Sequence, residues 1–181
     1  METTEKIVEA YVRYVKKWAT IPNIKCQGQF EVDLLAFDPV NIKRYHIESS
    51  ISVSGGFSKL TGGSFSPDTL KQRTKQASQR RTVGYFRDRK FTAPGVLTEL
   101  ANYGFNEGNY ERIIVTWGWT EDAKKQSDKA NITLWHFGDM INEITGIADS
   151  ETYFSDDTVR TLQLIIKALQ ERKSPLRFMN Y

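Results

Sequence analysis

The stretch from Gly28 to Ser52, GQFEVDLLAFDPVNIKRYHIESSIS, constrains the fold more than any other. Two arms, Phe30 to Phe37 and Lys43 to Ile51, flank Asp38-Pro39-Val40-Asn41, where proline and asparagine suit a chain reversal. The spacing predicts a β-hairpin. Successive strand side chains point to opposite faces, so Glu31, Asp33 and Leu35 share one face of the first arm, and His46, Glu48 and Ser50 share one face of the second. Asp33 and Glu48 can therefore face each other across the pair. Two acids in a mostly apolar sheet repel each other and lose hydration. Either they lie at strand ends, hydrated or paired with Lys43 and Arg44, or they surround a cation. Hard ions such as Mg²⁺ take one or two carboxylates, with water and substrate phosphate completing the shell.

These residues resemble the core of the PD-(D/E)XK nuclease superfamily, in which an acid on one strand precedes a Glu-x-Lys on the next. Asp33 matches the first acid and Glu48 the second, and the resemblance covers roughly residues 4 to 137. It implies an α/β fold: a three-layer sandwich around a mixed β-sheet, with a restriction-endonuclease-like αβββαβ core and added C-terminal helices. It also implies metal-dependent hydrolysis of phosphodiester bonds in nucleic acid, DNA foremost, with Mg²⁺ or Mn²⁺ held by Asp33 and Glu48. The family's helix before the hairpin often carries a metal-directed glutamate, and Glu9 is the nearest match. Spacing alone favours an i,i+4 pair of Glu9 with Arg13.

The lysine of the motif is absent: the half-motif reads Glu48-Ser49-Ser50. Serine carries no positive charge, so Ser50 in the catalytic set leaves three alternatives. A cation reaches the site from elsewhere, metal alone lowers the pKa of water, or the domain binds nucleic acid or a protein partner with little or no cutting. Lys43 is five residues before Glu48 and on the opposite face. Lys71, Arg73 and Lys75, on a helix expected after the hairpin, are better placed.

A chain of 181 residues suits one domain, with a core over about 4–137, C-terminal helices over 138–172 and a tail over 173–181. No segment approaches the roughly 18 apolar residues of a membrane span. Charged residues interrupt the N-terminal stretch as they would not in a signal peptide, and the expectation is a cytoplasmic protein. Cys26 is the sole cysteine, so no internal disulfide forms, and two histidines make a dedicated zinc site a poor expectation.

Net charge is +3, but it is unevenly spread. Between Thr69 and Thr98, Lys71, Arg73, Lys75, Arg80, Arg81, Arg87, Arg89 and Lys90 face one acid, Asp88, a local +7 that leaves −4 for the rest of the chain. Such a patch suits a polyanion, although charge runs are commonly solvated faces. Lys71, Arg73, Lys75, Gln76, Arg80 and Arg81 are the candidate nucleic-acid contacts, on a polar helix expected from Asp68 to about Gly84. A Ser/Gly-rich loop, Ser52 to Pro67, precedes it and could act as a lid; it contains no GxxxxGK[ST].

Elsewhere, apolar spacing predicts a helix over Thr4 to Trp18 capped by Thr3 or Thr4, and a short strand from Ile24 to Gln27. A helix over Val96 to Tyr103, a strand over Glu111 to Trp117, a helix capped by Thr120 and a strand over Asn131 to Phe137 follow, the last two strands as a parallel crossover pair. Asp139 is read as the cap of the next helix, and His136, Trp117 and Trp119 as core residues. The last helix, from Asp156 or Asp157 through Glu171, carries Val159, Leu162, Ile165, Ile166 and Leu169 for the core or a homodimer contact.

Overall fold

A computed structural model of the chain describes residues 2–51, 59–66, 81–149 and 153–172. The expected loop over Ser52 to Pro67 lies partly outside them, and Lys71, Arg73, Lys75, Gln76 and Arg80 lie wholly outside. Helix α1 (Thr3–Tyr14) is followed by β1 (Ala19–Cys26), β2 (Phe30–Asp38) and β3 (Lys43–Ser50). After the gap come a three-residue helix α2 (Val83–Tyr85) and a π-helical turn (Phe86–Phe91), then α3 (Pro94–Asn102), β4 (Tyr110–Thr116), α4 (Glu121–Lys129) and β5 (Ile132–His136). Helices α5 (Phe137–Ala148) and α6 (Asp157–Arg172) close the described chain.

The five strands form one mixed sheet in the order β1-β2-β3-β4-β5, antiparallel through β3 and parallel from β3 to β5. Alternation sorts the side chains into two faces. Leu34, Ala36, Tyr45, Ile47, Ile113 and Val115 meet Val8, Tyr11 and Val12 of α1 and Phe137, Met140 and Ile144 of α5. On the opposite face Ile114 packs with Leu60, Val83, Phe86, Phe91 and Ala123, and Leu35 with Val96 and Leu100. Helices thus cover both sides of the sheet, giving the expected three-layer α/β sandwich with helices added at the C-terminal end. Among the described residues no helix is long and apolar enough to cross a membrane.

Several local expectations need correction. Glu2, not a threonine, is the N-cap of α1, in a capping box in which Glu2 N–H donates to Glu5 Oε2 at 2.8 Å. The helix ends earlier than Trp18, with Lys17 at φ 62°, and β1 then begins at Ala19 and runs through Pro22. Proline is tolerated there because β1 is an edge strand, where a missing N–H removes no ladder bond. His136, rather than Asp139, is the N-cap of α5, and its side chain is 39% exposed beside Asp139, so it is no core residue. On α6, Val159 is buried against Ala10 and Ala148, whereas Ile165 and Leu169 are exposed. Trp117 packs edge-on against Phe137 and Trp119 joins the opposite cluster, as the aromatic content of a core predicts.

Candidate active site

The hairpin forms as its sequence requires. Asp38 closes the turn, its Oδ1 accepting from Val40 N–H and Asn41 N–H at 2.9 and 3.1 Å. The turn sets a register in which Leu35 faces His46 and Leu34 faces Ile47, so the next pair in line is Asp33 and Glu48. The ladder ends just before them, while β3 stays paired to β4 through Ser50 and Thr116. In place of ladder bonds, Asp33 N–H donates to Glu48 Oε1 at 3.3 Å and Ser49 N–H donates to Asp33 Oδ2 at 2.8 Å. The carboxylates thus occupy the cleft where β2 leaves β3. They are not hydrated strand-end groups: side-chain exposure is 11% for Asp33 and 0% for Glu48.

Between the two acids lies an ammonium group that sequence reasoning counted only as part of the basic stretch. Lys90 Nζ is 2.9 Å from Asp33 Oδ1 and 2.6 Å from Glu48 Oε2, and it also donates to the carbonyl of Glu31 at 2.9 Å. Lys90 belongs to the π-helical turn, whose two ends, Phe86 and Phe91, are buried five residues apart. Its flanks are pinned by close backbone approach. A Cβ on Gly84 would lie 2.7 Å from the carbonyl of Gly63, and one on Gly95 would overlap that of Gln27. Thr82 caps α2 by accepting from Tyr85 N–H. From this turn the Lys90 side chain, 17% exposed, runs inward to β2.

The remaining expected residues fall as follows. Ser50, also buried, ends β3 on the same face as Glu48 and opposite Thr116. Glu9 accepts from Thr20 Oγ1 at 2.9 Å and lies 3.8 Å from Arg13, the pair its spacing favours. Glu5, one turn earlier on α1, has its proton affinity raised by burial first, with a smaller contribution from the charge of Asp33. Lys43 pairs with Glu111 and Arg44 lies over the Phe37 ring, so neither neutralises the acids. Arg81, the one described member of the expected nucleic-acid contacts, gives its carbonyl to Thr61 N–H. Arg89 lies over the Phe30 ring at 4.1 Å.

Burial dominates the electrostatics. Desolvation, then the charge of Glu48, pushes the Asp33 carboxyl up to about 7. Desolvation also pushes Glu48 up to about 7, against the pull of Lys90. Lys90 is held protonated well above its ordinary value, because the attraction of both carboxylates outweighs its own burial. With both acids ionised, two negative charges face one positive charge. The site is short of one positive charge, which a shared proton supplies at low pH and a cation could supply at high pH. Asp33 Oδ1 and Glu48 Oε2 are the oxygens turned toward the Lys90 ammonium. Among the described residues, no group of three acidic, histidine or cysteine side chains is arranged to hold an ion unaided.

No protein-family model and no curated protein matches the chain. Among solved structures it is similar to a protein of unknown function, AF1548, at 13% identity and a TM-score of 0.47, over 94% of this chain and 98% of that one.

Proposed function

We propose that the chain is a metal-dependent nuclease of the PD-(D/E)XK kind, hydrolysing phosphodiester bonds in nucleic acid, with Lys90 in place of the motif lysine that Ser50 lacks. The observation carrying this reading is the ammonium of Lys90 bridging Asp33 and Glu48. It supports the alternative in which the cation arrives from elsewhere in the chain, although from the π-helical turn rather than from Lys71, Arg73 or Lys75. Two hard carboxylates suit Mg²⁺ or Mn²⁺ and the pair lacks one positive charge; because the Lys90 ammonium lies between Asp33 Oδ1 and Glu48 Oε2, an ion would share these carboxylates with it. When bound, the ion lowers the pKa of a coordinated water and polarises a phosphoryl oxygen.

The chain's own residues supply the rest. Asp33 and Glu48 would hold the ion, each oriented by a backbone N–H from the opposite strand. Lys90, always protonated, is a fixed electrostatic donor and not a base; it orients the attacking water and offsets charge gathering on the phosphoryl group. Arg89 at the Phe30 side of the site and the basic stretch that precedes it would position a phosphate backbone.

Cleavage of single-stranded, duplex and branched substrates, with Mg²⁺ or Mn²⁺ and with chelator, tests the reading. Metal-dependent cutting by the native protein, lost in Asp33→Asn and reduced roughly 10²- to 10³-fold in Lys90→Met, is expected. Binding of these substrates without cleavage by the native protein under any of the conditions would replace the nuclease reading with one of nucleic-acid binding alone.

A further inference from the structure

His46 precedes Glu48 by two residues, shares its face of β3 and is fully buried. Its Nε2 lies 2.7 Å from Glu48 Oε1. An ionised Glu48 only accepts hydrogen bonds, and its Oε1 already accepts from Asp33 N–H, so Nε2 carries the proton and donates it. Among the described residues Nδ1 is buried with no partner, and a second proton there would be an orphaned donor, so geometry alone makes the ring the neutral Nε2–H tautomer. A buried polar atom left unpaired costs about 1–3 kcal/mol, a cost that an apolar residue at this core position would avoid. The contact to Glu48 accounts for an imidazole here.

Its effect on Glu48 is directional. Oε1 receives both His46 Nε2–H and Asp33 N–H, which turns Oε2 toward Lys90 and Asp33 Oδ1. The ring is itself held edge-on by Phe91, centroids 4.8 Å apart, and Phe91 is the residue after Lys90. One imidazole thus touches the carboxylate on one side and the turn that carries the ammonium on the other. We propose that His46 is a positioning residue whose Nε2–H fixes the Glu48 carboxylate so that Oε2 faces Asp33 Oδ1 and the Lys90 ammonium between them. Its consequence for metal binding rests on the reading given above.

Three variants separate donor from packing. His46→Gln places an amide N–H where Nε2 was, His46→Asn reaches only the position of Nδ1, and His46→Leu removes the donor. Binding of Mn²⁺ alone, measured by calorimetry, is expected to weaken 10- to 100-fold in His46→Leu and His46→Asn, the usual effect of losing a hydrogen bond to a ligating carboxylate. His46→Gln retains it. Should His46→Leu fail to fold, the Gln and Asn pair carries the comparison. Leu or Asn variants that bind Mn²⁺ as tightly as the native protein overturn the proposal while leaving the metal site standing. Native protein that binds no Mn²⁺ overturns the metal reading instead, and ring ¹⁵N shifts of His46 in the metal-free protein then decide. A neutral ring protonated at Nε2 sustains the hydrogen bond to Glu48; one protonated at Nδ1 rules it out.

Discussion

Lys90→Met removes the ammonium while keeping most of the stem that fills the cleft under β2. Nζ lies 2.9 and 2.6 Å from the two carboxylates, with the lysine side chain 17% exposed. At an effective dielectric of about 20, each contact is worth roughly 6 kcal/mol of gross attraction, most of it offset by desolvation of the three ions. What the variant loses is the compensation for charges that stay buried, about 3–5 kcal/mol when both acids are ionised. That condition makes the loss depend on pH. Asp33 and Glu48 bind protons more tightly folded than unfolded, rising from 3.8 and 4.5 to about 7. Their contribution to native stability is therefore greatest at low pH, falls as pH rises from about 4 to 7, and is level above that. Without the ammonium both hold protons to still higher pH, and the variant keeps losing stability after the native protein has levelled off. Urea unfolding should show a small gap between the two proteins at pH 5, where a shared proton replaces the ammonium, widening to about 3–5 kcal/mol near pH 9. A gap that is the same at both pH values, or that stays under about 1 kcal/mol at pH 9, would show that Lys90 does not neutralise this pair.

Binding of Mn²⁺ should strengthen between pH 6 and 8, because the ion displaces protons that Asp33 and Glu48 hold up to about 7, and Asp33→Ala or Glu48→Ala should abolish it; calorimetry that finds equal affinity at both pH values places the ion elsewhere. Ser50→Lys should gain no activity in the native background, since Lys90 already supplies the charge, but should restore part of the cleavage lost in Lys90→Met; a Ser50→Lys protein that cuts far better than the native one would return the missing-lysine reading. Gly95→Ala drives a Cβ into the carbonyl of Gln27 and should cost about 1–3 kcal/mol in thermal or urea unfolding; an unchanged melt would mean that α3 shifts freely and does not anchor the π-helical turn. If the basic stretch binds a phosphate backbone, replacing Lys71 and Lys75 with Ala should reduce the salt slope of duplex binding by about 1.8, and a slope that does not change would identify them as a solvated face.

Asp33 and Glu48 were legible because a hairpin converts sequence into geometry with few free choices. The turn at Asp38 sets the register, the register sets which residues face each other, and strand alternation sets their side. The mixed sheet was legible for a similar reason, since a strand, a nine-residue helix and a strand leave little but a parallel crossover. β1 begins five residues before the expected Ile24, because it runs through Pro22, a residue that ordinarily ends a segment. An edge strand accepts proline, but that it is an edge is known only once the strand order is.

Lys90 was hidden by a different cause. The residues Phe86-Arg-Asp-Arg-Lys-Phe91 fit neither the period of an α-helix nor that of a strand, so spacing assigns no element where Lys90 sits. Their signal lies in the interval itself. Two phenylalanines five apart face the same way only when the backbone widens to i→i+5 bonding, a local form that often accompanies functional sites. Both rings are buried, and Phe91 is directed at His46, so the intervening charged residues divide by geometry. Arg87 and Asp88 pair with each other near the surface, Arg89 lies over Phe30, and only Lys90 is carried inward. A lysine separated from Glu48 by 42 positions then occupies the space between the same two acids that a lysine two positions after Glu48 would have had to reach. The cation between the two acids is thus delivered by the layer packed on the Glu48 face of the sheet, from a turn that no strand or α-helical spacing marks.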